Sequence, residues 1–540
     1  MLVAKQPAPE NYYQNNVLRV VEFVLERYDG IAPAALVADL RGYLQASQDS
    51  QRLFARLLTR KGPVFDQGTL GYREVADSEA ALAELEDRNL VRSQGPIAAD
   101  LLLNLILKDQ LKVAFPLACS GLRTQPKPAL VAAILHQYSD EQIRRHLSTF
   151  LSWVEITSPL HWQIVKILFF GNGRQDWSVF VRQDLDQVRY ARVPLTQAQF
   201  DGAERLEAHL KERAWAGLSY RLDEYPQLLP WLVGQCCDTA PAPFNQPLRN
   251  RTLHRLGRWC ERSGLFDFAL AVYGAATTPP ARERVVRILS KTGARAAAEA
   301  VLDDIRRAPL SATEAVFAKR FGQRNAGFQP KVEVMDIETV PPRVEDYALQ
   351  EILAARADCA QQAWGMHSEN ALVKTLTGLL YWPVIFAPVP GAFTNPFQLG
   401  PHDLFEDSFV SLRAPALFEL EQQTADDAAL LDHLDQVVKA HQGTANHLVS
   451  WGLIEQVGLD TILTAMGPAN VRQLCSFLIK NLADYRRGFP DLFVAYGIGD
   501  FEFIEVKGPN DQLQPGQRAW LQQFSEMGMR AKVLRLQLTA

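Results

Sequence analysis

RRGFPDLFVAYGIGDFEFIEVKGPNDQLQPGQRAWLQQF, residues 486–524, is the stretch whose reading decides the fold of the last third of the chain. LFVAY, residues 492–496, is a β-prone run, and Gly497-Ile498-Gly499 is a turn signal. FEFIEVK, residues 501–507, is a second strand. A three-residue loop at 497–499 is centred on Ile498, so residues equidistant from it face each other and 491 pairs with 505. That register sets Asp491 beside Glu505, with Cβ atoms on the order of 5 Å apart. Two carboxylates so placed repel unless a cation or a proton lies between them. By the period of two, Phe501, Phe503, Glu505 and Lys507 share one face, while Ile504 and Val506 turn into a core on the other. The loop 508–511 then lets a helix start near Gln517, with Trp520, Leu521 and Phe524 on its buried face.

An Asp, a Glu and a Lys gathered at strand ends make a site of hard oxygen donors with a cation beside it, which suits Mg²⁺ or Mn²⁺. A divalent ion held there polarises a phosphodiester and activates water, and the lysine positions the nucleophile or offsets phosphate charge. The pattern is the one written PD-(D/E)XK: Pro490-Asp491, thirteen residues, then Glu505-Val506-Lys507. A bare pattern of this kind also occurs on charged surface hairpins. Pro490 before the Asp, the hairpin length and the loop-to-helix sequel favour a catalytic site.

Outward from this stretch the chain is long and ordinary. At roughly 100–200 residues per domain, 540 residues imply several domains. With 47% apolar and 22% charged residues it is globular rather than disordered. The net charge of −5 does not advertise a nucleic-acid partner, but binding depends on where charge sits. Six cysteines without a CxxC pair argue against a thiolate zinc site and suit a reducing, cytoplasmic setting, where a DNA-acting protein would associate with the nucleoid through its DNA. The opening MLVAKQPAPENYYQNN lacks the apolar core of a signal peptide, and no run of about 18 apolar residues crosses a membrane.

The fold expected is multidomain: mostly α-helical over the first two-thirds, with helical repeats, then a C-terminal α/β domain of restriction-endonuclease type. Residues 1–97 form an N-terminal helical DNA-binding region. VLRVVEFVLERY places Val17, Val20, Val21, Val24 and Leu25 at helical spacing, and RLFARLLTRKG ends in Arg60 and Lys61. Those two cations complement a helix C-terminus or meet a phosphate. From Asp77 a capped helix runs into a short edge, as in winged-helix modules. Residues 98–144 resemble a SAP unit, a helix–extended–helix DNA-binding motif, on Leu111, Leu117, Gly121, Lys127 and Leu130; the plain alternative is a helical connector. Residues 145–345 are a helical region of tetratricopeptide type. RNRTLHRLGRWCER carries Arg249, Arg251 and Arg255 within five arginines, and RERVVRILSKTGAR adds more. Such arginines either track phosphates or form a solvated helix face. Residues 322–345 read as a linker with some extended structure, and 346–540 as the nuclease domain.

RRGFPDLFV followed by EVKGPNDQLQPGQRAWL is similar to the VRR nuclease domain. HSENALVKTLTGLLYWPVIF (367–386), NPFQLGPHDLFEDSF (395–409) and NHLVSWGLI (446–454) extend the match. Together with the order of modules, they resemble the Fanconi-anaemia-associated nuclease family in a bacterial form. The resemblance implies a structure-specific DNA nuclease that uses Mg²⁺ or Mn²⁺, cuts 5′ flaps near the junction, degrades DNA 5′→3′ and serves interstrand-crosslink repair on branched or flapped DNA. It places the family's site on Glu369, Asp491, Glu505 and Lys507, with the carbonyl of Val506 as a further metal ligand and Gln517 from the following helix. Glu369 taken alone reads as a first-turn Glu favoured by the helix dipole, ahead of Val373, Leu376, Leu379 and Leu380; the family pattern makes it a metal ligand. The resemblance also carries flap contacts onto Tyr12 or Tyr13, for base stacking, and onto Arg60 and Lys61. Eukaryotic members bear a ubiquitin-binding zinc finger, whose cysteine pattern this sequence lacks, so recruitment by ubiquitin is not expected. A monomer is expected, with a dimer as the alternative. Two other readings stay open: a Holliday-junction or restriction-like endonuclease, and a catalytically inactive scaffold that binds DNA structures.

Overall fold

The computed structural model describes residues 11–539, except 123, 174, 185–187, 324–326, 357–362 and 370. Cys359 and residues 1–10 fall outside the described residues. The chain divides into two compact units. One holds the chain up to Arg189 together with Leu195–Leu206; the other holds Tyr190–Pro194 and everything from Glu207 onward.

In the first unit the helices Tyr12–Tyr28, Ala34–Leu44 and Gln48–Thr59 pack together. The helical spacing of valines does what it predicts: Val17, Val20, Val21 and Val24 are all buried. Ser47 caps the third helix by accepting from the Ser50 N–H, and Asp77 caps Ser78–Asp87 by accepting from Glu79 and Ala80. A small antiparallel sheet completes the module. Its strands are β1 (Val64–Asp66), β2 (Val91–Ser93) and β3 (Trp153–Ile156), with β3 in the middle. The edge expected after residue 77 is therefore β2, and its central partner comes from sixty residues downstream. Between β2 and β3 lie four short helices, Ala99–Leu105, Lys108–Ala114, Lys127–Gln137 and Asp140–Leu147. They close over Leu102, Leu103, Leu111, Phe115, Leu130 and Ile134. Between the two outer helices of the SAP-like reading, residues 108–114 form a further helix, and turns follow from Phe115. Of its marker residues, Leu111 and Leu130 are buried, whereas Leu117 lies 72% exposed.

In the second unit the helices that follow Leu229–Cys237 are paired. Gln246–Arg262 packs on Phe266–Ala275, Ala281–Lys291 on Arg295–Arg307, and Ala312–Arg320 follows. Gly257 permits the first close approach, because a methyl group there would meet the Tyr273 ring at 2.5 Å. The unit then forms a five-stranded sheet from β4 (Val332–Ile337), β5 (Trp364–His367), β6 (Leu492–Gly497), β7 (Asp500–Lys507) and β8 (Ala531–Leu538). Their order is β4-β8-β7-β6-β5. The hairpin β6–β7 and the pair β5–β6 are antiparallel, and β7–β8 and β4–β8 are parallel. β4 lies inside the stretch read as a linker, so the sheet starts upstream of residue 346. The hairpin strands are buried on both faces. Leu492, Val494, Ile504 and Val506 pack toward the helix Val344–Ala354. Phe493, Phe501 and Phe503 face a larger core shared with the helices Leu372–Leu380, Pro468–Lys480 and Pro515–Glu526. Among the described residues no helix is long and apolar enough to cross a membrane.

Candidate active site

The hairpin has the register that the turn predicts. Leu492 faces Ile504 and Phe493 faces Phe503, which sets Asp491, one residue before β6, at the level of Glu505. The loop differs in detail. Only Ile498 and Gly499 lie between the strands, Gly499 takes φ +67°, and the register shifts by one residue between Ala495 and Gly497. A two-residue turn plus a bulge gives the same sum as a three-residue loop, so the acids still meet.

Glu505 is fully buried and Lys507 is 9% exposed. Lys507 Nζ lies 2.6 Å from Glu505 Oε1, and Gln517 Nε2 donates to the same oxygen. The other oxygen, Oε2, is buried and has no hydrogen-bond partner among the described residues. Asp491 Oδ2 accepts from the backbone N–H of Val506 at 2.8 Å. Burial, and then the charge of Asp491, push the Glu505 carboxyl up to about 8. Burial likewise raises Asp491, against the Val506 N–H and Lys507, with Glu345 and Glu369 pushing the same way. A half-buried Asp491 beside a fully buried Glu505 whose carboxyl its charge raises, with one Glu505 oxygen left without a donor, is a set short of positive charge. That fits a hard divalent cation.

Gln517 reaches Glu505 because of how its helix begins. Gln514 and Gln517 form a capping box in which Gln514 N–H donates to Gln517 Oε1 at 2.8 Å, and this leaves the Gln517 amide N–H₂ free to turn toward Glu505. Gly488 takes φ +87°, and a Cβ there would lie 2.8 Å from the carbonyl carbon of Gly516. The chain entering Pro490-Asp491 thus runs directly against the start of the helix that carries Gln517.

Glu369 stands at the rim. It is exposed in the turn after β5, and the helix it was expected to open starts at Leu372. Ser368 ties this turn to the site: its N–H donates to Asp491 O at 2.8 Å and its Oγ–H to Pro490 O at 3.0 Å. Glu369 is close enough for its charge to act on Asp491. Asp491, Glu505, Lys507, Gln517 and the Val506 backbone are therefore brought together and Glu369 borders them. Among the described residues no three acidic, imidazole or thiol groups converge on one metal-sized point.

The expected DNA contacts separate by burial. The Tyr12 and Tyr13 rings lie tilted with 3.8 Å between their centres, and Arg56 lies over Tyr13 at the same distance. Arg60 and Lys61 are exposed, with Arg60 donating to Tyr72 Oη at 2.9 Å. Arg251 is exposed; Arg255 stacks 3.5 Å over Tyr220 and donates to Ser219 Oγ. Arg249 is a correction. It is 2% exposed, its guanidinium is paired through two nitrogens with Glu212, and it donates also to the carbonyls of Cys236 and Thr239. All its donors face inward, so it holds helices together and is not a DNA contact.

Sequence reading missed two groups of cations. A cavity of about 490 Å³ is lined by Arg287, Arg320, Arg518 and Arg535 together with the loop Gln512–Pro515, which follows Lys507. Lys374, Arg486 and Arg487 border the Glu369 side. The paired arginines at 486–487 were visible in the decisive stretch; the cavity was not, because its arginines come from four separate elements.

Comparison with known proteins bears on the fold and the family. The model of the VRR-NUC domain matches residues 425–537, and that of the FAN1, HTH domain matches residues 11–92. The chain is 29% identical to the Fanconi-associated nuclease 1 homolog of Pseudomonas aeruginosa, over 96% of this chain and 94% of that one. It is 25% identical to the homolog of Arabidopsis thaliana, over 98% of this chain and 67% of that one. The human Fanconi-associated nuclease 1 is 32% identical over 37% of this chain and 20% of its own. Among solved structures, paFAN1 bound to 2-nt 5′-flap DNA with a gap superposes with a TM-score of 0.88 at 26% identity, over 99% of this chain and all of that one. A divalent-metal-dependent phosphodiesterase site on a VRR-NUC sheet, behind the family's own helical N-terminal module, makes this chain a member of the Fanconi-associated nuclease family, a structure-specific DNA nuclease.

Proposed function

We propose that the chain cuts 5′-flapped duplex DNA near the junction and degrades DNA 5′→3′, with Mg²⁺ or Mn²⁺, in the repair of interstrand crosslinks. The observation that carries the reading is the buried, unpartnered Oε2 of Glu505 beside Asp491. It is supported by the likeness to a structure that itself holds 5′-flap DNA.

In this reading Asp491, Glu505, the Val506 carbonyl and Glu369 hold the metal, which when bound supplies Lewis acidity to a phosphodiester. Gln517 fixes one oxygen of Glu505 and leaves the other aimed at the site. Lys507, on the same strand face, keeps a positive charge where phosphate charge gathers. The exposed Arg60, Lys61 and Arg251, with Arg320, Arg518 and Arg535 of the cavity, hold the backbone, and Tyr12 and Tyr13 present stacking faces to an unpaired base. The four-part division 1–97, 98–144, 145–345 and 346–540 assigns flap contact, duplex contact, duplex support and cutting. The protein acts as a monomer in the cytoplasm, on the nucleoid.

The test is cleavage of a labelled 5′-flap duplex in Mn²⁺ or Mg²⁺, with Asp491→Asn alongside. Cutting by the wild type alone, near the junction, supports the reading; equal cutting by the variant removes the site assignment. A four-way junction cut in preference to the flap removes the substrate assignment.

A further inference from the structure

Lys374, Arg486 and Arg487 are gathered beside the acidic site and left unpaired. Lys374 is half-buried in the first turn of the helix Leu372–Leu380, where a cation opposes the helix dipole. Arg486 is half-buried with its guanidinium 4.7 Å from the centre of the Phe405 ring, and Arg487 is exposed. Among the described residues none of the three makes an ion pair, although Arg413, Arg472 and Lys480 on nearby helices each do. The carboxylate that faces Arg486, Glu406, is itself disfavoured as an anion by burial.

The three cations also act on one another. Burial and the charges of Arg487 and Arg486 work against the protonated form of Lys374, with Glu369 alone opposing. Arg487 does the same to Arg486. Two half-buried cations beside a third, exposed one, with no ion pair among the described residues, cost the fold free energy that a bound anion would return.

Their location indicates what that is. Lys374 follows Glu369 by five residues and Arg487 precedes Asp491 by four, so the same two segments carry the acids and the cations. Ser368 joins those segments through its bonds to Asp491 and Pro490. An anion held by the cations is held next to the metal-binding edge. The arginine-lined cavity is built from other elements and is a separate surface.

We propose that Lys374, Arg486 and Arg487 clamp one backbone phosphate of the cut strand, adjacent to the scissile phosphate, and so set the register in which the strand meets Asp491 and Glu505. The proposal rests on the nuclease reading above. The three are positioning residues, since they neither hold metal nor reach the bond that breaks.

The experiment uses the full chain and a labelled 5′-flap duplex in which single phosphates of the cut strand are replaced, one at a time, by uncharged methylphosphonate. Lys374→Gln, Arg487→Gln and their double variant are compared with the wild type and with Lys374→Arg. Binding without divalent metal is measured across salt concentration, cleavage is measured with it, and thermal midpoints are recorded. In the double variant the slope of log affinity against log salt falls by about 1, and cleavage falls by roughly ten- to a hundredfold through lost register. One methylphosphonate position damages the wild type and adds nothing to the damage in the double variant. Lys374→Arg keeps the wild-type slope. The glutamine variants melt at or above the wild-type temperature, which a merely structural role would not produce. Wild-type slopes with an unchanged methylphosphonate profile overturn the clamp. A wild type that binds the flap but leaves it uncut overturns the nuclease reading while the slopes still decide the clamp; one that neither binds nor cuts overturns both.

Discussion

Glu505 has one oxygen held by Lys507 and Gln517 and one, on the side of Asp491, without a hydrogen-bond donor among the described residues. A glutamine there keeps the volume and most of the hydrogen bonding but removes the charge that attracts a cation. Glu505→Gln is therefore expected to reduce flap cleavage by at least about a thousandfold, as for loss of a principal electrostatic group, with unchanged far-UV circular dichroism. The same carboxyl gives a pH signature. Its folded pKa of about 8 stands above the ordinary carboxylate value of 4.5. The folded state thus favours the protonated form, and the contribution to stability is complete below pH 4.5 and lost as pH rises through 8. At about 1.4 kcal/mol per pKa unit the loss is on the order of a few kcal/mol. Metal-free protein should melt progressively lower between pH 5 and pH 8.5. Glu505→Gln should flatten that dependence, and Mn²⁺ should reverse it in the wild type only. A flat wild-type profile would show that Glu505 is ionised without metal. Asp491, Glu505 and Lys507 were legible in sequence because their meeting depends only on hairpin arithmetic. Lys374 was not, since a single lysine at the start of an apolar helix leaves no periodic trace. Arg249 was misread because an arginine looks the same in sequence whether it faces Glu212 or a phosphate.

Elements were legible where their pairing was local. The hairpin β6–β7, the valine-lined helix Tyr12–Tyr28 and the helix Pro515–Glu526 each announce themselves within twenty residues. β4 and β8 did not. They pair in parallel across some two hundred residues, with Lys532 reaching Glu333 at 2.7 Å, and β4 alternates exposed and half-buried positions in a proline-bordered stretch that reads as a linker. β3 was hidden for the same reason, since both its partners lie upstream of it in the helical N-terminal region. A joint between elements supplies the test at this scale. Gly488 lets the strand entry pass the start of the helix Pro515–Glu526, and nothing with a Cβ fits at φ +87° against Gly516 backbone. Gly488→Ala should lower stability by about 1–3 kcal/mol through strain and displacement. It should also pull Gln517 away from Glu505. Cleavage should then fall further than in Gln517→Ala alone, because Asp491 moves with its segment. Denaturant melts and single-turnover rates of the two variants check this; equal rates would mean that the joint does not position the acids.

For the molecule as a whole, charge count and charge use are different quantities. The chain has 61 acidic and 56 basic residues, yet its family acts on DNA. The arginine-dense helices look like a phosphate-tracking surface in sequence, but much of that charge is spoken for. Arg282 pairs with Glu314, Arg284 with Glu261, Arg287 with Glu283 and Arg249 with Glu212. Arg251, on the same helix, is exposed, and under the proposed function it meets the duplex. Two residues apart on one helix, Arg249 and Arg251 should therefore fail in opposite ways. Arg249→Met leaves Glu212 buried without its partner, and breaking such a pair costs about 3–5 kcal/mol. Its melting point should drop sharply, while flap affinity per folded molecule and the salt dependence stay as in the wild type. Arg251→Gln removes an exposed charge. Its melting point should hold, while affinity weakens evenly across sequences and the salt slope falls by about 1. Measuring melting and salt-dependent binding on both variants separates the two kinds of arginine. If Arg251→Gln binds like the wild type at every salt concentration, the helical repeats support the nuclease without touching the duplex, and the DNA path is confined to the N-terminal module and the nuclease domain.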